Sequence, residues 1–349
     1  LAILFSSTAL ANPLLTAEFW RTATPASLEQ AIRAGAQVNA RTQGGQTALH
    51  FAASASTNPA TVEALVRLGA DVNARDEAGF TPLHWASGNS PPIIETLVRL
   101  GAQVNARAQN GWTPLHILAW SSTSPAIASE SPAIVEILVR LGAEINAQEE
   151  RGWTPLHQAA ASSSTPAILE ALVRLGAEVN AGNHVGQTPL HIAAFNNTNP
   201  VILETLVRLG ARVNAREQHG LTALHFAAFN NTSPAIIETL VRLGAEVNAR
   251  TQVGSTPLHS AAHNSTSPAI IQALVRLGAQ VNARNQDGWT PLHWAAGYGR
   301  NSDVLLKLLE LGADPRARTL AGRTAWDLIQ QNERLRNTPA FWRLNDLRF

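Results

Sequence analysis

The sequence has no cysteine, no methionine, one tyrosine and, among 26 basic residues, a single lysine at position 307. Without cysteine there is no disulfide framework and no thiolate chemistry. The 26 basic residues against 25 acidic ones leave a formal charge of +1, so a strong whole-molecule field that would draw a nucleic acid or an anionic membrane is missing. The common catalytic spellings are absent too: there is no Gly-x-x-x-x-Gly-Lys-Ser/Thr loop, no Gly-x-Ser-x-Gly elbow and no His-Glu-x-x-His. With leucine at position 1, the sequence is expected to be a processed or trimmed product.

What is present is a repeat. Thr-Pro-Leu-His or Thr-Ala-Leu-His begins at Thr47, Thr81, Thr113, Thr154, Thr188, Thr222, Thr256 and Thr290, with a decayed copy, Thr-Ala-Trp-Asp, at Thr324. Successive starts lie 34, 32 and 41 residues apart and thereafter 34. A period of this size marks units too small to bury their apolar faces alone, which stack on their neighbours in one continuous array.

Each unit has a physical spelling. Thr suits a helix N-cap and Pro the first helical position, where no N–H is needed. A second helix opens at another cap-plus-proline, as in Ser233-Pro234 and Ser267-Pro268, and carries Ile236, Leu240, Val241 and Leu243 at helical spacing. Gly244 closes it, glycine accepting the left-handed conformation. An extended Ala-x-Val-Asn-Ala-Arg piece and a turn at Gly254 lead to the next Thr. This pattern resembles the ankyrin repeat over roughly residues 15 to 349, which implies an all-α ankyrin-repeat solenoid of about nine to ten stacked helix-turn-helix units joined by hairpin-like loops. The usual copies depart from that pattern by one extra residue between the helices, as in Ala228-Phe229-Asn230-Asn231-Thr232-Ser233-Pro234.

The boundaries follow the period. Residues 12–40 read as a degenerate N-terminal capping repeat, 41–317 as eight repeats and 318–349 as a C-terminal capping repeat. Residues 1–11 form an uncharged apolar run ending Ala9-Leu10-Ala11, the pattern of a secretory signal peptide, with a hydrophobic helix packed on the first repeat as the alternative. The run is too short to span a bilayer, and no membrane insertion is expected. The cap sequences around Phe19-Trp20 and Phe341-Trp342 resemble those of exported bacterial ankyrin-repeat proteins, which implies a periplasmic or secreted location. The short spacing places a lighter inter-helix turn at Ser87-Gly88-Asn89-Ser90-Pro91-Pro92. The long spacing comes from a seven-residue duplication, Ser124-Pro125-Ala126-Ile127 recurring as Ser131-Pro132-Ala133-Ile134, which should bulge from the inter-helix turn.

Two columns look like chemistry and read better as scaffold. Arg33, Arg67, Arg99, Arg140, Arg174, Arg208, Arg242 and Arg276 suggest a phosphate ladder, but Glu29, Glu63, Glu95, Glu136, Glu170, Glu204 and Glu238 each sit four residues before one of these arginines, in the favoured orientation for a helical ion pair. Nucleic-acid binding needs unpaired cations and is not expected. Eight of the eleven histidines belong to the signature, about 8–10 Å apart by helix packing, too far to share one metal ion. His184, His219 and His263 read as loop residues. In the ankyrin family the signature histidine bonds neighbouring backbone and the Thr. Neither a metal nor a cofactor is expected, and no enzyme. Asn196-Asn197-Thr198, Asn230-Asn231-Thr232 and Asn264-Ser265-Thr266 match the glycosylation pattern, with turn chemistry as the favoured reading.

The positions that vary guide function. The residue after the signature His, about 200° from the Leu at 100° per residue, is Phe51, Trp85, Ile117, Gln158, Ile192, Phe226, Ser260 and Trp294, a column that reads equally as exposed or as packed in part against the next repeat. The residue before the Thr is Gln46, Phe80, Trp112, Trp153, Gln187, Leu221, Ser255 and Trp289, a column read as exposed. In ankyrin proteins such hairpin and first-helix positions line the concave binding surface, and aromatics dominate interface hot spots. The resemblance therefore implies a non-enzymatic scaffold, expected as a monomer, that binds an unidentified protein partner. The candidate contact residues are Phe80, Trp85, Trp112, Trp120, Trp153, Phe195, Leu221, Phe229, Trp289, Trp294 and Tyr298. A secreted effector that competes for a host or neighbour-cell protein, and a repeat module trimmed from an enzyme, remain open at this point.

Overall fold

The computed structural model describes residues 12–88, 90–121, 125–265 and 267–348. The signal-peptide reading of residues 1–11 lies outside the described residues, as do Asn89 and Ser124 of the two irregular inter-helix segments.

The helices fall into two units, Leu1–Glu150 and Arg151–Phe349. In the first, a 3-10 turn (Pro13–Leu15) precedes α1 (Ala17–Thr22) and α2 (Pro25–Arg33), followed by α3 (Ala48–Ala55) with α4 (Pro59–Arg67), α5 (Pro82–Ala86) with α6 (Pro91–Arg99), and α7 (Pro114–Ser121) with α8 (Pro125–Arg140). In the second, α9 (Pro155–Ser162) pairs with α10 (Ala167–Arg174), α11 (Pro189–Asn196) with α12 (Pro200–Arg208), and α13 (Ala223–Asn230) with α14 (Pro234–Arg242). It continues with α15 (Pro257–Asn264) and α16 (Pro268–Arg276), α17 (Pro291–Tyr298) and α18 (Ser302–Glu310), and α19 (Ala325–Ile329) and α20 (Pro339–Asp346). Among the described residues there is no strand, only an isolated bridge between Arg41 and Thr47. Within each unit first helices pack on first helices and second on second, the all-α solenoid arrangement. No helix of the described residues is long and apolar enough to cross a membrane.

The second helices show how a unit is closed and buried. Pro234 opens α14, and after its last residue, Arg242, Gly244 adopts φ +100° while Ala245 N–H reaches back to Leu240 O at 2.9 Å. These two features satisfy carbonyls that the helix end would leave free. Ile236, Ile237, Thr239 and Leu240 are buried, whereas Val241 and Leu243 are only half-buried. The sequence reading of the stripe is corrected here: Val241 stands at its edge, and Leu243 lies past the last helical residue. At the hairpin, Gly254 has φ +79°, and a Cβ there would meet the Gln286 backbone nitrogen of the next repeat at 3.2 Å. That nitrogen donates to Val253 O at 3.0 Å, so the close approach of the two loops needs glycine.

Polar side chains tie repeat to repeat. Asn214 donates to Gly244 O and accepts from Glu246 N–H, both at 2.9 Å, and Asn73 does the same for Gly101 O and Gln103 N–H at 2.9 Å. The extra inter-helix residue has a similar role. Asn231, 4% exposed, donates to Ala194 O (3.1 Å) and Asn197 O (2.8 Å) of the preceding repeat. Asn230, the first residue of its glycosylation-like triplet, donates to Phe195 O at 3.0 Å, which is turn chemistry.

Two expectations change. The glutamate-to-arginine spacing calls for pairs within one helix, and Arg33–Glu29 at 3.4 Å is such a pair. Five others reach the glutamate of the repeat before: Arg99 to Glu63 and Arg140 to Glu95 in the first unit, Arg208 to Glu170, Arg242 to Glu204 and Arg276 to Glu238 in the second. Stacking brings the preceding helix alongside, so a long guanidinium side chain finds its carboxylate across the stack. The seven-residue duplication does not bulge from the turn either. It lengthens the second helix into the 16-residue α8, with Pro132 inside. Seven residues are close to two helical turns, so the added length leaves the faces nearly in phase.

The ends are covered by aromatic residues. Trp20 is fully buried and donates to Leu14 O at 2.8 Å. At the other end the Trp326 and Phe341 rings lie 4.9 Å apart.

Candidate functional site: the hairpin and first-helix face

The face rests on the signature histidines. In the second unit Thr222 caps α13, and its N–H lies 3.1 Å from His225 Nδ1, with the hydroxyl at 2.9 Å. His225 Nε2 lies 3.2 Å from Ser255 O. A backbone N–H can only donate and a carbonyl only accept, so Nδ1 is the acceptor and Nε2 carries the proton. The neutral ring thus pins each first helix to the following hairpin. His191 reaches Leu221 O and His259 reaches Trp289 O, while in the first unit His50 reaches Phe80 O and His84 reaches Trp112 O. Burial pushes His84, His225 and His259 down to about 4, and lowers His50, His191 and His293 as well. With both ring nitrogens engaged, these histidines serve the frame. Among the described residues no three His, Asp or Glu side chains gather in a way that could hold a metal ion.

In the first unit the candidate residues make shorter-range contacts. Trp85 meets Phe51 and His50 edge-on at 5.6 Å, and its Nε1 lies 3.3 Å from Asp76 Oδ2. Phe80 stands beside His84 at 5.3 Å. Trp112 and Trp120 meet at 6.0 Å, with Trp120 53% exposed.

The second unit joins its candidates into a longer run. Phe195 stacks on Phe229 (6.4 Å, 19° between planes), Phe229 meets His263 (5.6 Å), and His263 meets both Trp294 (5.2 Å) and Tyr298 (5.9 Å). Trp289 then stacks on Tyr298 at 5.6 Å and 15°. The residues come from α11, α13, α15 and α17 and the hairpin before α17, so one ring surface crosses four consecutive repeats. The helical register explains it: Phe195, Phe229 and His263 each lie three residues after the variable position, on the same helix face. Trp153 stands beside His157 at 6.2 Å.

The structure also revises the residue assignments. The hairpin column is not open to solvent: Phe80, Trp112, Trp153, Leu221 and Trp289 are half-buried and Ser255 is only 7% exposed, because each lies against the first helix that follows it. In the other column Gln158 and Ile192 are buried. His263 is not a loop residue but belongs to α15, where it bridges Phe229 and Trp294. Its signal was its place in the same column as Phe195 and Phe229. A cavity of about 340 Å³ opens beside it, lined among others by Leu221, Phe229, Ser255, Ser260, His263 and Trp294. Both variable columns dip to serine in this repeat, between Leu221 and Phe226 on one side and Trp289 and Trp294 on the other.

The family model for ankyrin repeats (3 copies) matches residues 22–108, 124–217, 161–251 and 224–319. The chain belongs to the ankyrin-repeat family. Ankyrin repeats are generally protein–protein interaction modules on a scaffold that is typically non-catalytic. No curated protein matches this ankyrin-repeat chain.

Proposed function

We propose that this ankyrin-repeat protein is a non-enzymatic scaffold, exported to the bacterial periplasm or beyond, that grips a protein partner through its hairpin and first-helix face. The ring surface from Phe195 to Tyr298 carries this reading: its residues occupy positions that the repeat frame leaves free to vary, and they are of the type that dominates interface hot spots. Tyr298, 53% exposed and stacked on the half-buried Trp289, is the exposed ring of this run. The apolar run of residues 1–11 supports export.

Affinity capture from the native compartment tests the face. Trp289→Ala with Tyr298→Ala should release the partner, while Trp342→Ala, an exposed aromatic on the C-terminal cap, should leave it bound. Equal capture by all three proteins would refute this face. For export, the chain should be recovered from the periplasm or medium with Asn12 at its N-terminus. Recovery only in the cytosol would refute that part.

A further inference from the structure

Arginines of the second helices find carboxylates across the stack, but a second arginine column in the second unit does not. It stands on the hairpins at Arg216, Arg250 and Arg284, one to each repeat. Arg250 lays Nη1 between two carbonyls, Gly254 O of its own turn at 3.0 Å and Arg284 O of the next repeat at 2.8 Å. Arg216 does the same with Gly220 O and Arg250 O, and Arg284 reaches Arg318 O. Carbonyls fix these side chains without cancelling their charge. All three residues are exposed, and none forms an ion pair among the described residues. Glu217, next to Arg216 in the chain, commits its carboxylate to the N–H groups of His219 and Leu221. A guanidinium carries five N–H donors in a planar fork. With Nη1 held, Arg216 and Arg250 each keep the Nε and Nη2 edge, which suits a carboxylate bound by two parallel hydrogen bonds.

The column borders the ring surface. The cavity of about 340 Å³ is lined by Thr251, Gln252 and Val253, the three residues after Arg250, and by Phe229, His263 and Trp294 of the rings. Each guanidinium also lies near enough to the signature histidine of its repeat, His225, His259 or His293, to help burial lower it.

We propose that the hairpin edge of Arg216, Arg250 and Arg284 takes an acidic polyproline-II segment of the protein partner, with one Asp or Glu carboxylate on each guanidinium. The assignment rests on the scaffold reading above and specifies the chemistry of the partner. Equivalent groups of stacked repeats recur about 8–10 Å apart, as their helices do. A polyproline-II chain has three residues per turn and rises about 3.1 Å per residue, so every third side chain returns to one side about 9.3 Å further on. Carboxylates at every third position therefore keep step with the column. In a β-strand positions i and i+3 point to opposite faces and lose that register. Polyproline-II segments also dock on aromatic surfaces, which the neighbouring rings supply. A nucleic acid suits the edge less well, since one cation per repeat is sparse against a phosphate at every nucleotide.

Fluorescence anisotropy on the full chain tests this with labelled peptides of Pro-Pro-Glu units, of Pro-Pro-Gln units, and of the first composition with its glutamates adjacent, and with a single-stranded oligothymidylate. The Pro-Pro-Glu peptide should bind about tenfold or more tightly than the Pro-Pro-Gln peptide, as three exposed ion pairs would give, and should weaken as salt rises. The isomer with adjacent glutamates should bind more weakly than the spaced one. Arg216→Gln, Arg250→Gln and Arg284→Gln should each weaken the Pro-Pro-Glu peptide by about two- to fivefold. Glutamine is the residue that the chain carries at the equivalent Gln148, and the change from Glu to Gln in the peptide leaves the fold untouched. Arg208→Gln, Arg242→Gln and Arg276→Gln, which remove as much charge from the paired column, should change binding little. Equal binding of the Glu and Gln peptides, equal loss from the two sets of arginines, or a tighter hold on the oligothymidylate would overturn the proposal, and equal binding of the two glutamate isomers would overturn its register. The peptide titration needs no native partner, so its failure is separable from failure of the scaffold reading: the column could fail while Trp289→Ala with Tyr298→Ala still released the partner.

Discussion

His225 links two successive repeats, its Nδ1 facing the N–H of Thr222 at 3.1 Å and its Nε2 the carbonyl of Ser255 at 3.2 Å. The arrangement requires the neutral ring, because a proton on Nδ1 would face the Thr222 N–H. Burial holds His84, His225 and His259 near 4, below the 6.5 of a free histidine. The unfolded chain therefore binds more protons between those values. Their contribution is fully present above about pH 6.5 and is lost as pH falls toward 4, by up to about 1.4 kcal/mol per pH unit for each histidine. Urea midpoints should be flat with respect to these groups above pH 7 and fall steeply from pH 6.5 to 4. A midpoint that rose on acidification through that window would contradict the neutral ladder.

The links between repeats differ in worth. Asn214→Ala removes two hydrogen bonds, to Gly244 O and from Glu246 N–H, and should cost about 1–3 kcal/mol. Arg242→Ala breaks an exposed ion pair with Glu204 and should cost about 0.2–1 kcal/mol, less in high salt. Double-mutant cycles distinguish the pair across the stack from a pair within the helix. Arg242 with Glu204 should show coupling in chemical denaturation, and Arg242 with Glu238 should show none.

The repeat length, helix starts and glycine stops could be read from the sequence because each is a local rule: Thr-Pro at a cap, Gly244 at a left-handed turn. The arginine pairing could not, since spacing of four along one helix and adjacency across the stack are both compatible with the same column, and only packing chooses. The same limit applied to the site. Phe195 and Phe229 were visible as aromatics, but His263 looked like a loop residue until α15 placed it between Phe229 and Trp294. The decayed signature shows the rule from the other side. Asp327 stands where the histidine would be and accepts from Thr324 N–H at 2.8 Å, a bond that holds its carboxyl below the usual range. A carboxylate caps the helix start as the imidazole does but has no donor to extend to a following hairpin.

The Trp294 indole N–H is buried with no hydrogen-bond partner, and Asn285, nine residues before it as Asp76 is before Trp85, spends its one side-chain oxygen on the N–H groups of Asp287 and Trp289, so Asn285→Asp has a consequence for stability. A second carboxylate oxygen would give the Trp294 indole N–H the acceptor that Asp76 gives Trp85, and satisfying a buried donor is worth about 1–3 kcal/mol. The variant should unfold at higher denaturant concentration at pH 7, and its Trp294 indole proton should exchange more slowly with solvent. The gain should fade once the new carboxyl is protonated. A variant less stable than the parent at pH 7 would show that the indole is not short of an acceptor.

Pro132 tests the irregular repeat. Inside α8 it supplies no N–H to the carbonyl of residue 128, and its ring crowds that carbonyl, whereas Pro234 opens α14 at a position where neither matters. Because α8 runs unbroken from Pro125, Pro132→Ala should stabilise the chain by up to about 3 kcal/mol and raise its helical circular dichroism. The equivalent change at the start of α14, Pro234→Ala, should have a much smaller effect. Loss of stability in Pro132→Ala would mean that the second helix begins at Pro132, with Ser131 as its cap, and that the duplicated residues do not extend it.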